Sequence, residues 1–542
     1  MTAARTEAHG AGPRAPDVPR GREVESGMLS KIRNETPPHV ELPRSYNAAV
    51  DLLDRHVMEG RGDRIAVIDD EGRYTYRDLA ARADRAAGAL KAMGVQPEQR
   101  VALVMLDGVD FPATFLGAIK LGAVPVPLNT MLTPEDYTYM LRDSRARAVI
   151  ASAALYEKLK PAIAACPGIK IAVIGASEAA PSWRVLVEEA EPIAHAADTT
   201  PDDVAFWLYS SGSTGKPKGA MHVHGSLMWT AALYALPVLG LRPDDIVYSA
   251  AKLFFAYGLG NALTFPFAAG ATAVLCADRP APATVLRVMK QHKPTVFGGV
   301  PTLFAQLLAD PAWTREAMPA LRISTSAGEA LPKHISERWK ERVGSEILDG
   351  IGSTEMLHIF LSNRPGDITY GTTGRPVPGY ELELRGDDGT VLPPGSEGAL
   401  WVRGPSTAIG YWADRTRSLG TFHGPWTRTG DQYLHNLDGT WTYCGRADDM
   451  LKVGGIWVSP FEVESALAAH PAVLECAVVG HQDDHGLTKP KAFVVLRGEA
   501  TADELKAFVR DRLAAYKYPR WVEMVTELPK TATGKIQRFK LR

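Results

Sequence analysis

Between about residue 64 and residue 360 the chain alternates short β-rich apolar runs with stretches of helical period, and few architectures accept that pattern. "RIAVID", "RVALVML", "AVPVPLN", "RAVIAS", "IKIAVIG", "AFWLYS", "IVYSAA", "TAVLCA", "TVFGGV" and "LRISTSA" read as buried strands. The clearest helix is 76–93, where Leu79, Ala83, Ala86, Leu90 and Met93 keep three-to-four spacing. Thr75 and Asp78 form a capping-box start and Gly94 a stop. Strands alternating with helices imply parallel sheets covered by helices. The texture changes near residue 370. "YELELRG" and "ALWVRG" alternate around the turn clusters "GDDG" and "PPGSEG", which predicts an antiparallel β-subdomain. From about 449 onward a helix (461–469), the strands "ECAVVG" and "KAFVVLR", a helix (502–515) and a basic end predict a compact α+β unit. The fold class is therefore α/β, with a large N-terminal domain of parallel-type sheets and a small α+β C-terminal domain.

The chain has 542 residues, 45% of them hydrophobic and 23% charged, with a formal net charge of -2. That is an ordinary globular composition, and it gives no sign of a nucleic-acid surface or a polybasic membrane patch. Cys166, Cys276, Cys444 and Cys476 are far apart and form no CxxC pair, so they read as reduced, mostly buried thiols in a cytoplasmic protein. Residues 1–44 are expected to be a disordered tail: they show no apolar period and no secretory core. Glu7, Asp17, Glu23 and Glu25 are too many acids for a transit peptide, and Met28 is an alternative start to Met1. Leu253 to Ala277 carries no charge and is long enough to span a bilayer, but Gly258, Gly260, Asn261, Pro266 and Gly270 interrupt it. It is expected to be a buried loop–helix–strand.

The stretch "SSGSTGKPKG" (210–219) holds three glycines, four hydroxyl side chains and two lysines directly after an apolar run. Backbone N–H groups around glycines make anion-binding nests, and Ser, Thr and Lys add donors and charge. It is not a P-loop, because Pro217 stands five residues after Gly212. His222 and His224 make an HxH pair with no evident third ligand, which favours a structural role over a metal.

"YSSGSTGKPKGAMHVH" resembles the phosphate-binding signature of the adenylate-forming superfamily of acyl-CoA synthetases, carrier-loading adenylation domains and luciferases. "STSAGEALP" (324–332), "DGIGSTEM" (349–356), "WTRTGDQY" (426–433), "YCGRADDMLKVGGIWVSPFEVE" (443–464) and "LPKTATGKIQR" (528–538) resemble its other motifs in the same order. The resemblance spans about residue 45 to 542. It implies an AMP-binding domain over 45–447 and a mobile C-terminal domain over 448–542, with Asp448 as the hinge. It also implies a two-step reaction using ATP, Mg²⁺ and coenzyme A.

Roles follow from the resemblance residue by residue. Ser211, Gly212, Ser213, Thr214, Gly215 and Lys218 would hold the β- and γ-phosphates, and Glu355 would hold Mg²⁺. Ala327, Gly328 and Glu329 would lie along the adenine, with Asp349, Gly350, Ile351 and Thr354 also in the nucleotide site. Ile351 stands where much of the superfamily has an aromatic residue, so adenine stacking is not expected there. Asp431 would accept from the ribose hydroxyls and Arg446 would contact the nucleotide nearby. Lys535 is the principal catalytic candidate, bridging carboxylate and α-phosphate, with Glu355 beside it and Lys452 assisting thioester formation. Gly454 and Gly455 would let the pantetheine arm pass.

"AKLFFAYGLGN" (251–261), "IGSTEMLHIFLSN" (351–363) and "YGTTGRPVPGYELELRG" resemble the benzoate–CoA ligases more than fatty-acyl or acetyl enzymes. By that likeness Ala256, Tyr257, Gly258, Gly328, Gly352, His358 and Ile359 would line the acyl pocket, and the glycines would let a flat ring slide between backbone planes. The substrate is then an aromatic carboxylic acid: benzoate, or a 4-hydroxy- or 2-aminobenzoate. The alternative acceptor is a separate carrier protein. A non-catalytic nucleotide-binding relative is opposed by Lys535, Glu355 and Asp431. The resemblance leaves a homodimer open, and a lysine acetyltransferase acting on Lys535 would remove its charge. Neither a nucleic acid nor a membrane is expected as a partner.

Overall fold

The computed structural model describes residues 25–33, 35–210, 216–447, 449–453, 456–484, 487–513, 517–530 and 536–542. Three sheets carry most of the N-terminal motifs. The first is parallel, with strand order Val124–Pro127, Arg100–Val104, Ala148–Ser152, Lys170–Ile174. Helices at Tyr76–Ala92, Asp110–Lys120, Pro134–Ser144 and Ala153–Ala164 fall between and before these strands in sequence. The Tyr76–Ala92 helix starts where its capping box predicts: the Thr75 hydroxyl accepts from the Asp78 N–H and the Asp78 carboxylate accepts from the Thr75 N–H. Its stripe of Leu79, Ala80, Ala83, Ala86, Ala87 and Leu90 is buried.

The second sheet is larger. Its central strands Ile65–Ile68, Thr272–Val274, Ile246–Ser249, Val296–Gly299, Ile323–Ser326 and Glu346–Gly352 run parallel, and antiparallel strands close both edges. Their carboxyl ends carry 249–258, 326–329 and 349–352, which brings three of the predicted motifs to one edge, the usual place for a ligand in an open α/β sheet. The third sheet departs from the parallel expectation. Val204–Ser210 ("AFWLYS") pairs antiparallel with Lys218–Val223, which pairs antiparallel with Gly410–Tyr411. The glycine-rich stretch thus connects two antiparallel strands rather than a strand and a helix.

The uncharged stretch 253–277 is interior. It forms a short helix Ala256–Leu259, a wider π-type turn Gly260–Thr264, a helix Phe265–Ala269 and the strand Thr272–Val274. Leu259, Leu263, Phe265 and Phe267 are fully buried in the main core. Among the described residues no helix is long and apolar enough to cross a membrane.

An antiparallel sheet of Glu381–Arg385, Glu397–Arg403, Trp426–His435, Phe422–His423 and Trp441–Arg446 follows, as the alternation predicts. The last part pairs Val473–Gln482, Thr488–Leu496 and Trp521–Met524, with helices Pro460–Ala468 and Ala502–Arg510 packed through Val463, Leu467, Leu505 and Val509. The second helix ends at Arg510, short of the predicted 515. Arg538 fastens the chain end to this unit: its guanidinium donates to both oxygens of the buried Glu464, which also accepts from the Val478 N–H at 2.7 Å.

The predicted tail is corrected over 25–33 and 35–44. This stretch has a helical turn Ser26–Met28 and a hairpin of Lys31–Arg33 with His39–Glu41. Glu25 accepts from the buried Ala196 N–H at 3.1 Å, and Met28 and Val40 are buried. Its strands are three residues each, too short to leave a readable period in the sequence.

The HxH pair is committed to backbone. The Nε2–H of His222 donates to the Thr354 carbonyl at 2.7 Å, and the Nδ1 of His224 accepts from the Ala48 N–H at 3.1 Å. Both rings are buried, and burial pulls each pKa down to about 4. A neutral buried histidine binds no proton when folded but does when unfolded. Its contribution to stability is therefore intact above pH ~6.5 and is lost as pH falls toward 4. His224→Gln should flatten the stability–pH slope in that window by up to one proton, or about 1.4 kcal/mol per pH unit. Urea midpoints measured at several pH values check this, and an unchanged slope would contradict the burial argument.

Candidate active site

The hairpin Val204–Ser210/Lys218–Val223 places Ser210 directly opposite Lys218. Ser211, Gly212, Ser213, Thr214 and Gly215, between them, lie outside the described residues. The downstream end of the loop is held from two sides. The Tyr139 hydroxyl donates to the Pro217 carbonyl at 3.0 Å, and Arg417 donates to the Lys216 carbonyl at 3.1 Å. The Lys216 ammonium stands 5.1 Å from the centre of the Tyr139 ring.

Tyr411, which sequence reasoning missed, organises the centre. It sits opposite Ala220 on the neighbouring strand and is buried. Its hydroxyl accepts from the Lys218 ammonium at 2.7 Å and donates to Glu355 Oε1 at 2.7 Å. The direction is settled by inventory: an ammonium has only donors and a carboxylate only acceptors, so the single phenol proton points at Glu355. Ser210 donates to the same oxygen at 3.3 Å, and Lys218 and Glu355 are themselves 3.8 Å apart. Burial lowers the pKa of Lys218, against the pull of Glu355. Burial, reinforced by the Glu355 charge, raises that of Tyr411. The backbone fixes the segment as well: the Thr354 carbonyl is held by His222 and the Glu355 carbonyl accepts from the Ala408 N–H at 2.7 Å. The result is a cluster of carboxylate and hydroxyl oxygens beside one ammonium, suited to a hard cation and a phosphate.

The nucleotide candidates fall at neighbouring strand ends. Ser326 pairs with Asp349, so Ala327, Gly328 and Glu329 leave one strand beside Gly350, Ile351 and Gly352 on the next. Glu329 accepts from the Thr302 hydroxyl at 3.0 Å. Asp349 is buried, its Oδ1 has no hydrogen-bond partner among the described residues, and burial pushes its pKa well above the usual carboxylate range. Asp431 and Arg446 face each other across two antiparallel strands, and Arg446 donates to Asp431 Oδ1 at 2.9 Å and to the Thr429 carbonyl at 3.1 Å.

Of the predicted acyl set, Tyr257 and Gly352 meet His358, and Ile359 follows it in the chain. The buried His358 ring stacks on Tyr257 (centroids 5.6 Å apart, interplanar angle 23°), meets the edge of Phe265 at 4.3 Å and lies 5.5 Å from Tyr234. Burial holds it neutral, with a pKa of about 3, and its Nε2–H points at the Tyr257 carbonyl at 3.4 Å. Tyr234 lies far from the predicted motifs in sequence and Phe265 stands four residues beyond the stretch 251–261, and nothing in the local pattern marks either as a partner of His358. Ala256, Tyr257 and Gly258 open the short helix. Gly352 pairs with Ile359, and a Cβ at Gly352 would overlap the His358 carbonyl. A Cβ at Gly258 would overlap the Lys252 carbonyl. Both positions thus demand glycine for backbone contacts within the protein itself. Gly328 takes φ 94° beyond the end of the Ile323–Ser326 strand. Lys535, Asp448, Gly454 and Gly455 lie outside the described residues, as does the side chain of Lys452 on the strand Leu451–Val453.

Residues 53–412 match the AMP-binding enzyme family and residues 462–535 match the AMP-binding enzyme C-terminal domain. The chain belongs to that family. It is 55% identical to a benzoate–CoA ligase of Thauera aromatica over 94% of this chain and 98% of the relative. A crystal structure of a benzoate CoA ligase from Burkholderia xenovorans is 54% identical, covers 92% of this chain and 100% of its own, and superposes with a TM-score of 0.87. An anthranilate CoA ligase solved with anthranoyl-AMP is 42% identical, with a TM-score of 0.89 over 92% of this chain and 97% of its own.

Removing the phenol oxygen tests the geometry around Tyr411. In Tyr411→Phe the bridging hydroxyl is gone, and the long 3.8 Å ion pair of Lys218 and Glu355 should contract to direct hydrogen-bond distance. ATP affinity measured by equilibrium dialysis should then fall roughly tenfold, about 1.4 kcal/mol. A loss of thermal stability with unchanged ATP affinity would leave Tyr411 a packing residue only.

Proposed function

We propose that this protein is an ATP-dependent aryl-CoA ligase that converts benzoate, ATP and CoA to benzoyl-CoA, AMP and pyrophosphate. The observation that carries the reading is the aromatic enclosure of Tyr257, Phe265 and Tyr234 around a neutral His358, three residues along the chain from Glu355. Aromatic walls and a neutral imidazole suit an uncharged flat ring. The full-length likeness to benzoate–CoA ligases supports it.

In the first half-reaction a carboxylate oxygen of the acid attacks the α-phosphorus of ATP. The P–O bond to the β-phosphate breaks and pyrophosphate leaves, giving acyl-adenylate. Two anions must meet, so the protein's contribution is positioning and charge. Lys218, with the loop 211–215, holds the leaving pyrophosphate oxygens. Asp431 accepts from the ribose hydroxyls, and Ala327, Gly328, Glu329 and 349–351 flank the base. Lys535 bridges the substrate carboxylate and the α-phosphate. In the second half-reaction the CoA sulfur attacks the acyl carbonyl and AMP leaves. For this step the C-terminal domain turns about Asp448, bringing in Lys452 and a passage beside Gly454 and Gly455.

The oxygen-rich set around Glu355 fits Mg²⁺: a carboxylate flanked by the Ser210 and Tyr411 hydroxyls is a hard donor group. Bound there, the ion would supply positive charge to the phosphate oxygens. Glu355 would hold it, and Tyr411 keeps Glu355 oriented and apart from Lys218.

Two experiments test the reading. Pyrophosphate release measured with a panel of benzoate, 4-hydroxybenzoate, 2-aminobenzoate, acetate and octanoate, with and without CoA, should be fastest with benzoate and should yield AMP and thioester only with CoA. Turnover of octanoate above benzoate would refute the aryl assignment, and adenylate that CoA cannot discharge would favour a carrier protein as acceptor. Separately, Lys535→Ala should lose roughly 10²–10³ in adenylate formation, as oxyanion donors do. It should still convert supplied benzoyl-AMP and CoA to thioester. Equal loss in both half-reactions would remove Lys535 from its bridging role.

A further inference from the structure

A largely buried ion pair stands behind the acyl pocket and none of the roles above uses it. Asp107 follows the strand Arg100–Val104 of the four-stranded sheet. Lys252 follows the strand Ile246–Ser249 of the large sheet. Their side chains are 4% and 16% exposed, and Lys252 Nζ is 3.9 Å from Asp107 Oδ2. The ammonium also donates to the Cys276 carbonyl at 2.5 Å and the Asp278 carbonyl at 2.6 Å, where the chain leaves the strand Thr272–Val274. Its three donors therefore face three acceptors from two sheets. The other oxygen of Asp107 accepts from the Leu253 N–H at 3.4 Å, so two consecutive residues, 252 and 253, are held by one carboxylate.

The turn that follows has no slack. The Lys252 carbonyl accepts from the Phe255 N–H at 3.0 Å and abuts Gly258 so closely that no Cβ fits. The Phe255 carbonyl accepts from the Leu259 N–H at 2.7 Å. Ala256, Tyr257 and Gly258 sit inside that turn, and Tyr257 carries the stack on His358. A shift of the Lys252 backbone is therefore passed toward Tyr257 through a hydrogen bond to Phe255 and a steric contact with Gly258 that resists compression. Burying a charge pair is costly, and an apolar side chain of similar length would fill the same volume. What an ammonium adds is direction, because it fixes where the backbone stands relative to three named oxygens.

We propose that Lys252 and Asp107 are positioning residues for the acyl pocket, a tether between two sheets that sets the place of the Ala256–Gly258 wall and so the fit of the aryl acid. The proposal rests on the assignment of that wall to the acyl site. The test compares Lys252→Met, Lys252→Arg and Asp107→Asn with the unaltered enzyme in steady-state pyrophosphate release. The acid used is whichever one in the panel the unaltered enzyme turns over fastest, so failure of the benzoate assignment leaves this test readable. Lys252→Met should raise KM for the acid at least tenfold while KM for ATP stays within twofold. Asp107→Asn should move the same constant in the same direction by a smaller factor, since an amide oxygen can still accept from Leu253. Lys252→Arg, whose guanidinium can reach two carbonyls, should restore most of the loss. Equal changes in both KM values, or a lowered melting temperature with unchanged KM values, would overturn the proposal. If Lys252→Met does not fold, Asp107→Asn is read by the same split between the two KM values, and equal changes there overturn the proposal just as well.

Discussion

One phenol oxygen separates a lysine from a glutamate, both partly buried, and the working part of this protein is built to keep it there. Lys218 and Glu355 are already at the long limit of an ion pair, and without the phenol between them they would bond each other directly. Tyr411 accepts from one and donates to the other, holding them 3.8 Å apart with the proton direction fixed. That arrangement needs the strands of all three partners to be locked. Lys218 is set by the hairpin with Ser210, Tyr411 by its pairing opposite Ala220, and the Glu355 segment by the His222 ring on the Thr354 carbonyl and the Ala408 N–H on the Glu355 carbonyl. The antiparallel three-stranded sheet, set apart from the two mainly parallel ones, lies where these three meet.

The interior follows the same logic of polar groups held neutral or paired. His222, His224 and His358 are buried with pKa values lowered to about 4, 4 and 3, so each serves as a neutral hydrogen-bonding wedge. His222 joins the Lys218 strand to the Glu355 segment, and His358 gives the aromatic enclosure its centre. Uncharged rings are what an aryl substrate can pack against without a desolvation penalty. Where charge is buried, as in Asp107 with Lys252 or Glu464 with Arg538, it is paired and further bonded to backbone.

The two classes of site residue differ in how much of their geometry is local. Gly258 and Gly352 read as openings for a flat ring, but each is demanded by a carbonyl of the protein's own backbone pressed against its Cα. Such contacts make the walls stiff, and a stiff wall takes its position from whatever anchors its ends. This links the Ala256–Gly258 turn, the wall proposed for the acyl site, to strand ends in two different sheets.

Local patterns in the chain are enough for the α/β class, the capping-box helix at Tyr76–Ala92, the antiparallel subdomain, the burial of 253–277 and the ordered motifs that mark the family. These are legible because period, caps and turn residues act within a few positions of one another. Only long-range contacts show that "AFWLYS" runs antiparallel, that residues 25–33 and 35–44 fold onto the domain, that Tyr411, Tyr234 and Asp107 belong beside the predicted residues, and that Phe265 and Lys252, in or near the stretch 251–261, meet His358 and Asp107. Tyr411 lies 193 positions from Lys218 and 56 from Glu355 along the chain. A hydrogen bond between such partners leaves no local period or spacing to read. It is fixed only when strand register brings the two side chains to the same place.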